Sequence, residues 1–223
     1  MTAVVELSGV SKRFRGLRVL EDVDLTVSRG ECLAITGPNG SGKSVLFKIM
    51  CRFVAPDSGR VVIDPAYLDG KGVFPSGFGV IIDRPRFISN ETGRDNLLEL
   101  ARIRRVVGPA EVDAAMERVG LDPDQGQHVG QYSLGMKQKL ALAQAFMEGQ
   151  PVLLLDEPFN ALDEASCAAV HQLLREFLEE GRTIVFTSHN PDDVAALATR
   201  QCVIQDRHLF PAPGAKPTGV EAV

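Results

Sequence analysis

The chain has 223 residues and a mass of 24.1 kDa; 44% of them are hydrophobic, 24% are charged, and the mean hydropathy is +0.02. A chain of this length buries roughly 70% of its extended surface without a disulfide or metal staple, and the composition excludes disorder as its main state. With 24 basic against 29 acidic residues the formal charge is −5, so a nucleic-acid partner, which calls for a basic excess, is not expected.

Met1 to Arg13 mixes Glu6, Ser8 and Lys12 among its apolar residues and has no signal-peptide core, which predicts a chain that stays inside the cell. Within it, Ala3 to Leu7 alternates like an antiparallel strand, as does Val23 to Val27. The Arg29-Gly30 turn leads into a short buried strand, Cys32 to Thr36, followed by a glycine-rich loop over Gly37 to Ser44 and a helix over Val45 to Arg52. Arg60 to Asp64 and Gly79 to Asp83 read as strands, with a loop across Pro65 to Phe78 between them. From about 90 to 148 the pattern turns helical: Asn96 to Val106, Ala110 to Val119, a turn-rich Gly120 to Gln131, and Ser133 to Met147, stopped by Gly149 and Pro151.

Val152 to Leu155 is a fully apolar strand. Glu164 to Glu180 carries Val170, Leu173, Leu174, Phe177 and Leu178 on one helical stripe, ended by Gly181. A strand (Thr183 to Thr187), a helix (Pro191 to Ala198) and a last strand (Cys202 to Gln205) follow, and 211–223 reads as a flexible tail. Strands alternating with helices predict an α/β fold with a mostly parallel, buried sheet. No run reaches the ~20 apolar residues of a membrane-crossing helix. Cys32, Cys51, Cys167 and Cys202 form no CxxC pair, which argues against zinc and suits small core residues in a reducing compartment.

Gly37-Pro38-Asn39-Gly40-Ser41-Gly42-Lys43-Ser44 fits G-x-x-x-x-G-K-[ST] between a buried strand and a helix, the setting a phosphate loop requires. Its glycines let successive N–H groups, on into Val45, turn toward one concavity at a helix N-terminus. Lys43 supplies a point charge for terminal phosphates, and the Ser44 hydroxyl suits Mg²⁺. A second signal is the apolar strand ending in Asp156-Glu157. Beside a phosphate loop, Asp156 is the residue to hold Mg²⁺ through its waters, and Glu157 is the general base for an attacking water.

The order and spacing of these motifs resemble the ATP-binding subunit of an ABC transporter over residues 3 to 210. Ser133-Leu134-Gly135-Met136-Lys137-Gln138, 23 residues before Asp156, resembles that family's signature motif; Pro158 to Asp163 resembles the loop after its catalytic glutamate. His189, 32 residues after Glu157, resembles its switch histidine, and Phe14 sits where the family places an aromatic ring under adenine. The resemblance implies a P-loop core with an N-terminal antiparallel β subdomain and a helical insertion at about 90–148, forming one nucleotide-binding domain over 1–210. It implies ATP and Mg²⁺ as cofactors, and a homodimer or heterodimer in which Ser133 and Gly135 of one subunit cap the γ-phosphate held by the other. Lys43, Glu157 and His189 become the catalytic set.

Two departures stand out. The signature reads Ser-Leu-Gly-Met-Lys, which resembles the branch of exporters typified by bacitracin-type self-resistance. Asp83 stands about 40 residues after Lys43, where the family has Gln; a carboxylate there still suits Mg²⁺ or its water. The stretch Arg84 to Asn96 is then the expected surface for an integral membrane permease, and the expected location is the cytoplasmic face of the membrane. The expectation is therefore an ATPase that energises export through that permease. A soluble ABC-type ATPase acting on ribosomes or DNA, and a catalytically silent scaffold subunit, are the alternatives. His128, His171 and His208 read as ordinary satisfied polar residues.

Overall fold

The computed structural model describes residues 2–70, 72–83 and 86–212. The N-terminal alternation builds β1 (Ala3–Phe14) and β2 (Leu17–Ser28), each twelve residues long and paired antiparallel. Both strands run further than their periodicity predicts, because β1 changes register between Leu7 and Val10 and again before Lys12 and Arg13. Each shift moves the apolar face by a residue and breaks the period-two pattern.

The all-apolar run after the turn is β3 (Cys32–Thr36), followed by α1 (Lys43–Met50), β4 (Ser58–Ile63) and β5 (Phe78–Ile81). β4 pairs antiparallel with the free edge of β1 and completes a three-stranded sheet. The stretch between β4 and β5 holds a 3₁₀ turn at Pro65–Tyr67, with the Asp64 carboxylate accepting from the Ala66 amide.

Three helices come next: α2 (Gly93–Arg104), α3 (Pro109–Arg118) and α4 (Leu134–Phe146). α2 begins three residues before the predicted start because Thr92 caps it, its hydroxyl accepting from the Asp95 amide at 3.1 Å. Ser133 caps α4 in the same way, accepting from the Met136 amide at 3.1 Å.

The chain closes with β6 (Val152–Leu155), α5 (Glu164–Glu179), β7 (Thr183–Thr187), α6 (Pro191–Leu197), β8 (Arg200–Gln205) and β9 (His208–Pro211). β9 was not predicted; it returns antiparallel on β8 through a turn at Asp206 and Arg207, both in the left-handed region. Two consecutive left-handed residues make the tight hairpin that neither Asp nor Arg advertises in sequence. Pairing thus runs to Pro211, and the Ala212 amide donates to the Gln201 carbonyl at 3.0 Å. The remainder of the predicted tail, 213–223, and Arg84-Pro85 of the predicted permease surface lie outside the described residues.

The main sheet has the order β5-β6-β7-β3-β8-β9, parallel except for the β8–β9 pair. β6 and β7 are buried at every residue, because both faces are covered. Leu153, Leu155, Ile184 and Phe186 point to a core shared with α2 through α5, while Val152, Leu154 and Val185 point to one shared with α1 and the N-terminal sheet. Each buried large side chain contributes ~1.5–3 kcal/mol, so the centre of this sheet is strongly stabilised. Cys32, at the start of β3, and Cys51, at the C-terminal end of α1, are both buried; burial pushes both thiols up to about 12, so they pack and do not react.

Candidate active site

β6, β7 and β3 are consecutive neighbours running the same way, so their C-terminal ends emerge along one edge of the sheet. The loop 37–44 leaves β3 there, Asp156 and Glu157 leave β6, and Ser188 and His189 leave β7. Gly37 and Gly42 take φ values of 143° and 108°, which side-chain-bearing residues rarely adopt, and a Cβ on Gly37 would fall 2.6 Å from the Ile204 carbonyl oxygen. Gly42 is also the N-cap of α1 and provides no side-chain cap, which leaves the first-turn amides without an intrahelical acceptor.

Lys43, only 8% exposed, folds back to donate to the Gly37 and Pro38 carbonyls at 2.9 and 3.2 Å. Ser44 Oγ donates to Asp156 Oδ2 at 2.5 Å. The other Asp156 oxygen, Oδ1, accepts from Thr187 Oγ1 at 2.7 Å, and that hydroxyl in turn accepts the Glu157 amide at 2.8 Å. Glu157 sits at φ 52°, a left-handed conformation costing about 1–3 kcal/mol for a non-glycine residue, and the bond to Thr187 holds it there. Its Oε2 lies 3.0 Å from His189 Nδ1. The result is one continuous hydrogen-bonded chain, Ser44–Asp156–Thr187–Glu157–His189, drawn from three strand ends.

Two clefts share Asp156 and Glu157. One of about 270 Å³ is lined by Val19, Asn39, Gly40, Gly42, Lys43, Ser44 and Val45. The other, about 460 Å³, adds Asp83, Leu134, Lys137, Gln138, Asn160 and Ala161. Glu157 therefore stands where a phosphate-sized concavity meets the N-terminus of α4. Ser44 and Asp156 are two hard oxygen ligands already converging on one point, which fits a Mg²⁺ ion completed by phosphate and water oxygens. Among the described residues no group of three or more His, Cys, Asp or Glu side chains could hold a metal ion.

The structure gathers most of the sequence-predicted set and separates the rest. Gly37 to Val45, Asp156, Glu157 and His189 come together. Asp83 lines the larger cleft at φ 60°, with its carboxylate engaged by Lys48 Nζ of α1 at 2.6 Å. Phe14 is 44% exposed at the tip of the β1–β2 hairpin, with Lys12 Nζ 5.3 Å from its ring centre; among the described residues it is Leu17, Arg18 and Val19 of this hairpin that line the flank of the phosphate loop. Ser133 and Gly135 stand at the start of α4 beside the 158–163 loop, where a Cβ on Gly135 would meet the Ala161 carbonyl at 2.7 Å; the cleft that holds Lys43 and Ser44 is lined by other residues.

Two contributors escaped the sequence reading. Thr187 is a fully buried hydroxyl at the end of an apolar strand, and that position is the only signal it offers. Gln138, inside the signature-like segment, donates to the Pro158 carbonyl at 3.1 Å and ties α4 to the residues after Glu157.

A family model described as "ABC transporter" matches residues 20–160, more than half of the chain, and spans the phosphate loop, the α4 segment and Asp156-Glu157. The chain belongs to the ABC transporter family. It is an ATP-binding, ATP-hydrolysing subunit of that family. It is 33% identical over 194 residues to the uncharacterized ABC transporter ATP-binding protein YybJ of Bacillus subtilis, covering 87% of this chain and 89% of that one. It is 34% identical over 211 residues to the bacitracin transport ATP-binding protein BcrA of Enterococcus faecalis, covering 94% and 68%. The fold matches a dimeric, post-hydrolysis structure of the ATP-binding cassette MJ0796 bound to ADP and Pi. That match has a TM-score of 0.81 and 25% identity, and covers 94% of this chain and 99% of that one. Among the described residues, no helix of this ABC ATPase is long and apolar enough to cross a membrane.

Proposed function

We propose that this subunit hydrolyses Mg²⁺-ATP at a composite site formed by two nucleotide-binding subunits, and that the cycle drives a separate integral membrane permease in the direction of export. The observation that carries the chemistry is the hydrogen-bonded chain from Ser44 to His189. The phosphates are held by the amides of Asn39 to Val45 and the charge of Lys43, with Ser44 and Asp156 as the Mg²⁺ residues. Held by these two residues, the ion would supply charge neutralisation to the phosphates. Glu157 takes a proton from a water whose oxygen bonds to the γ-phosphorus, while the bond from that phosphorus to the bridging oxygen breaks and ADP leaves. General-base assistance of this kind is worth roughly 10²–10⁴ in rate. His189, with Nδ1 already on Glu157, orients the carboxylate and meets the γ-phosphate through its other ring nitrogen. Phe14 packs against the adenine at the rim.

Ser133 and Gly135, at a helix N-terminus exposed beside Glu157, provide the anion-binding cap for the nucleotide of a second subunit. The dimeric state of the MJ0796 cassette supports this reading. Transport is supported by the likeness to BcrA, and export by the resemblance of the Ser-Leu-Gly-Met-Lys signature to the bacitracin-type exporter branch. A groove of about 550 Å³ adjoins Asp83, with Phe53 and Ile103 at its rim, 56% and 76% exposed; such apolar exposure suits a docking permease. The complex belongs at the cytoplasmic face of the membrane.

The test is to tag the chain in its host, solubilise membranes in mild detergent and identify what co-purifies. A stoichiometric polytopic membrane protein is the expected result; recovery only with ribosomes or DNA would overturn the transport reading. For direction, deleting the gene should raise sensitivity to a panel of toxic peptides and antibiotics. Unchanged sensitivity with loss of growth on a nutrient would point to import.

A further inference from the structure

His171 and Asp193 have no part in the reaction as described, yet both are largely buried and both belong to one closed path around the reacting pair. Asp193, 4% exposed in the first turn of α6, accepts from Ser188 Oγ at 2.7 Å on Oδ2 and lies 3.0 Å from His171 Nε2 on Oδ1. Ser188 is 3% exposed and immediately precedes His189. The His171 ring, on α5, stands edge-on to Phe159 with centroids 4.6 Å apart, and Phe159 packs in turn on Phe186 of β7 at 5.9 Å. Phe159 lies two residues after Glu157. The path therefore runs Glu157, Phe159, His171, Asp193, Ser188, His189, and back to Glu157 through the 3.0 Å contact.

We propose that His171 and Asp193 are positioning residues for ATP hydrolysis: they fix the separation of the His189 turn from the loop after Glu157, and so set turnover without touching nucleotide. The loop carries Glu157 at its start and has no regular structure of its own until α5. The His189 turn leaves β7 before the short helix α6. Thr187 and the Phe159–Phe186 contact already tie the loop to β7, and the imidazole of His171, bonded to Asp193 at one end and packed on Phe159 at the other, adds the link that reaches the His189 turn through Ser188. Thr187 holds the backbone of Glu157, but it leaves the side-chain contact with His189 unbraced. A misplacement of about 1 Å at such a contact costs up to ~10²-fold in rate.

The inference rests on Glu157 acting as base beside His189, so the experiment includes Glu157→Gln. ATP turnover, its KM, affinity for a fluorescent ATP analogue and the melting temperature are measured on the full chain as wild type, His171→Leu, His171→Gln and Ser188→Ala. His171→Leu keeps most of the packed volume and loses the bond to Asp193; kcat should fall at least about tenfold with KM and analogue affinity within about twofold. His171→Gln, whose amide reaches toward Asp193, should recover most of that loss. Ser188→Ala cuts the path at its other end with little change in volume and should lower kcat severalfold, which keeps the proposal testable if His171→Leu folds poorly. Wild-type kcat in folded His171→Leu and Ser188→Ala, or a glutamine variant no better than leucine, would overturn it. Wild-type turnover in Glu157→Gln would instead bring down the base assignment.

Discussion

The strand-end site and the α2–α4 segment keep their polar groups in opposite ways. At the site, Asp156 and Thr187 are buried, and Asp156 accepts from Ser44 and Thr187 at 2.5 and 2.7 Å, so the carboxylate is pinned from both sides at the end of the sheet. Around α2–α4 most polar contacts are part-exposed ion pairs, with Arg94 gripping Asp113 through two bonds of 2.5 and 2.9 Å, Arg104 meeting Glu148 and Arg118 meeting Glu176. Asn96 of α2 is an exception, buried and bonded to the backbone of Ile88 and Thr92. Exposed pairs contribute little, so this segment is held by its apolar packing and its two hydroxyl caps. Burial fixes the strand-end geometry within one chain, while Ser133 stands exposed at the start of α4, the part that the proposed second subunit would complete.

This contrast can be broken from either side. The largest effect belongs to Lys43→Ala, which removes the one buried cation of the phosphate loop. Nucleotide affinity should drop by about a hundredfold or more, since each charge-assisted hydrogen bond lost is ~1.5–3 kcal/mol, and titration with a fluorescent ATP analogue reads it directly. Next is Thr187→Val, which preserves shape but leaves the Glu157 amide without its acceptor and Asp156 Oδ1 without its donor. It should cost about 1–3 kcal/mol in stability and lower kcat more than affinity; an unchanged kcat would mean the left-handed Glu157 backbone holds without it.

Smaller still is Phe14→Ala at the rim, expected to weaken nucleotide binding by about 1 kcal/mol, the low end for a stacked base, because Phe14 is half-exposed. The smallest is Asp113→Asn in the helical segment, about 0.2–1 kcal/mol. The hydrogen bond from Arg94 holds the Asp113 carboxyl below its ordinary range, so its contribution is fully present above about pH 4 and fades as pH falls through the lowered value. Melting curves of wild type and Asp113→Asn should therefore differ at neutral pH, converge in acid, and converge also as salt is raised.

The parts of the molecule legible from sequence are those where one physical requirement acts alone. An apolar run too short for a helix and flanked by turns must be a buried strand, and β3, β6 and β7 were readable for that reason. The phosphate loop was readable because its glycines answer to backbone geometry. Register shifts in β1 superimpose two phases, so the strand was cut short, and β9 depends on a left-handed Asp206-Arg207 turn without glycine. Within the site, Asp156, Glu157 and His189 carry chemistry in their side-chain types. Thr187 and the His171–Asp193 pair act through contacts between residues far apart in sequence, which no local pattern encodes. Asp83 was visible as a departure, but its partner Lys48 could be found only once α1 was packed beside β5.

The central claim is that a site built by burial in one chain works only when a second subunit closes it. Glu157→Gln tests this most directly: purify the variant, and follow its mass by light scattering with and without Mg²⁺-ATP while assaying phosphate release. The account predicts a monomer that becomes a stable dimer on adding ATP and releases essentially no phosphate. A variant that stays monomeric with ATP bound, or turns ATP over at the wild-type rate, would contradict it.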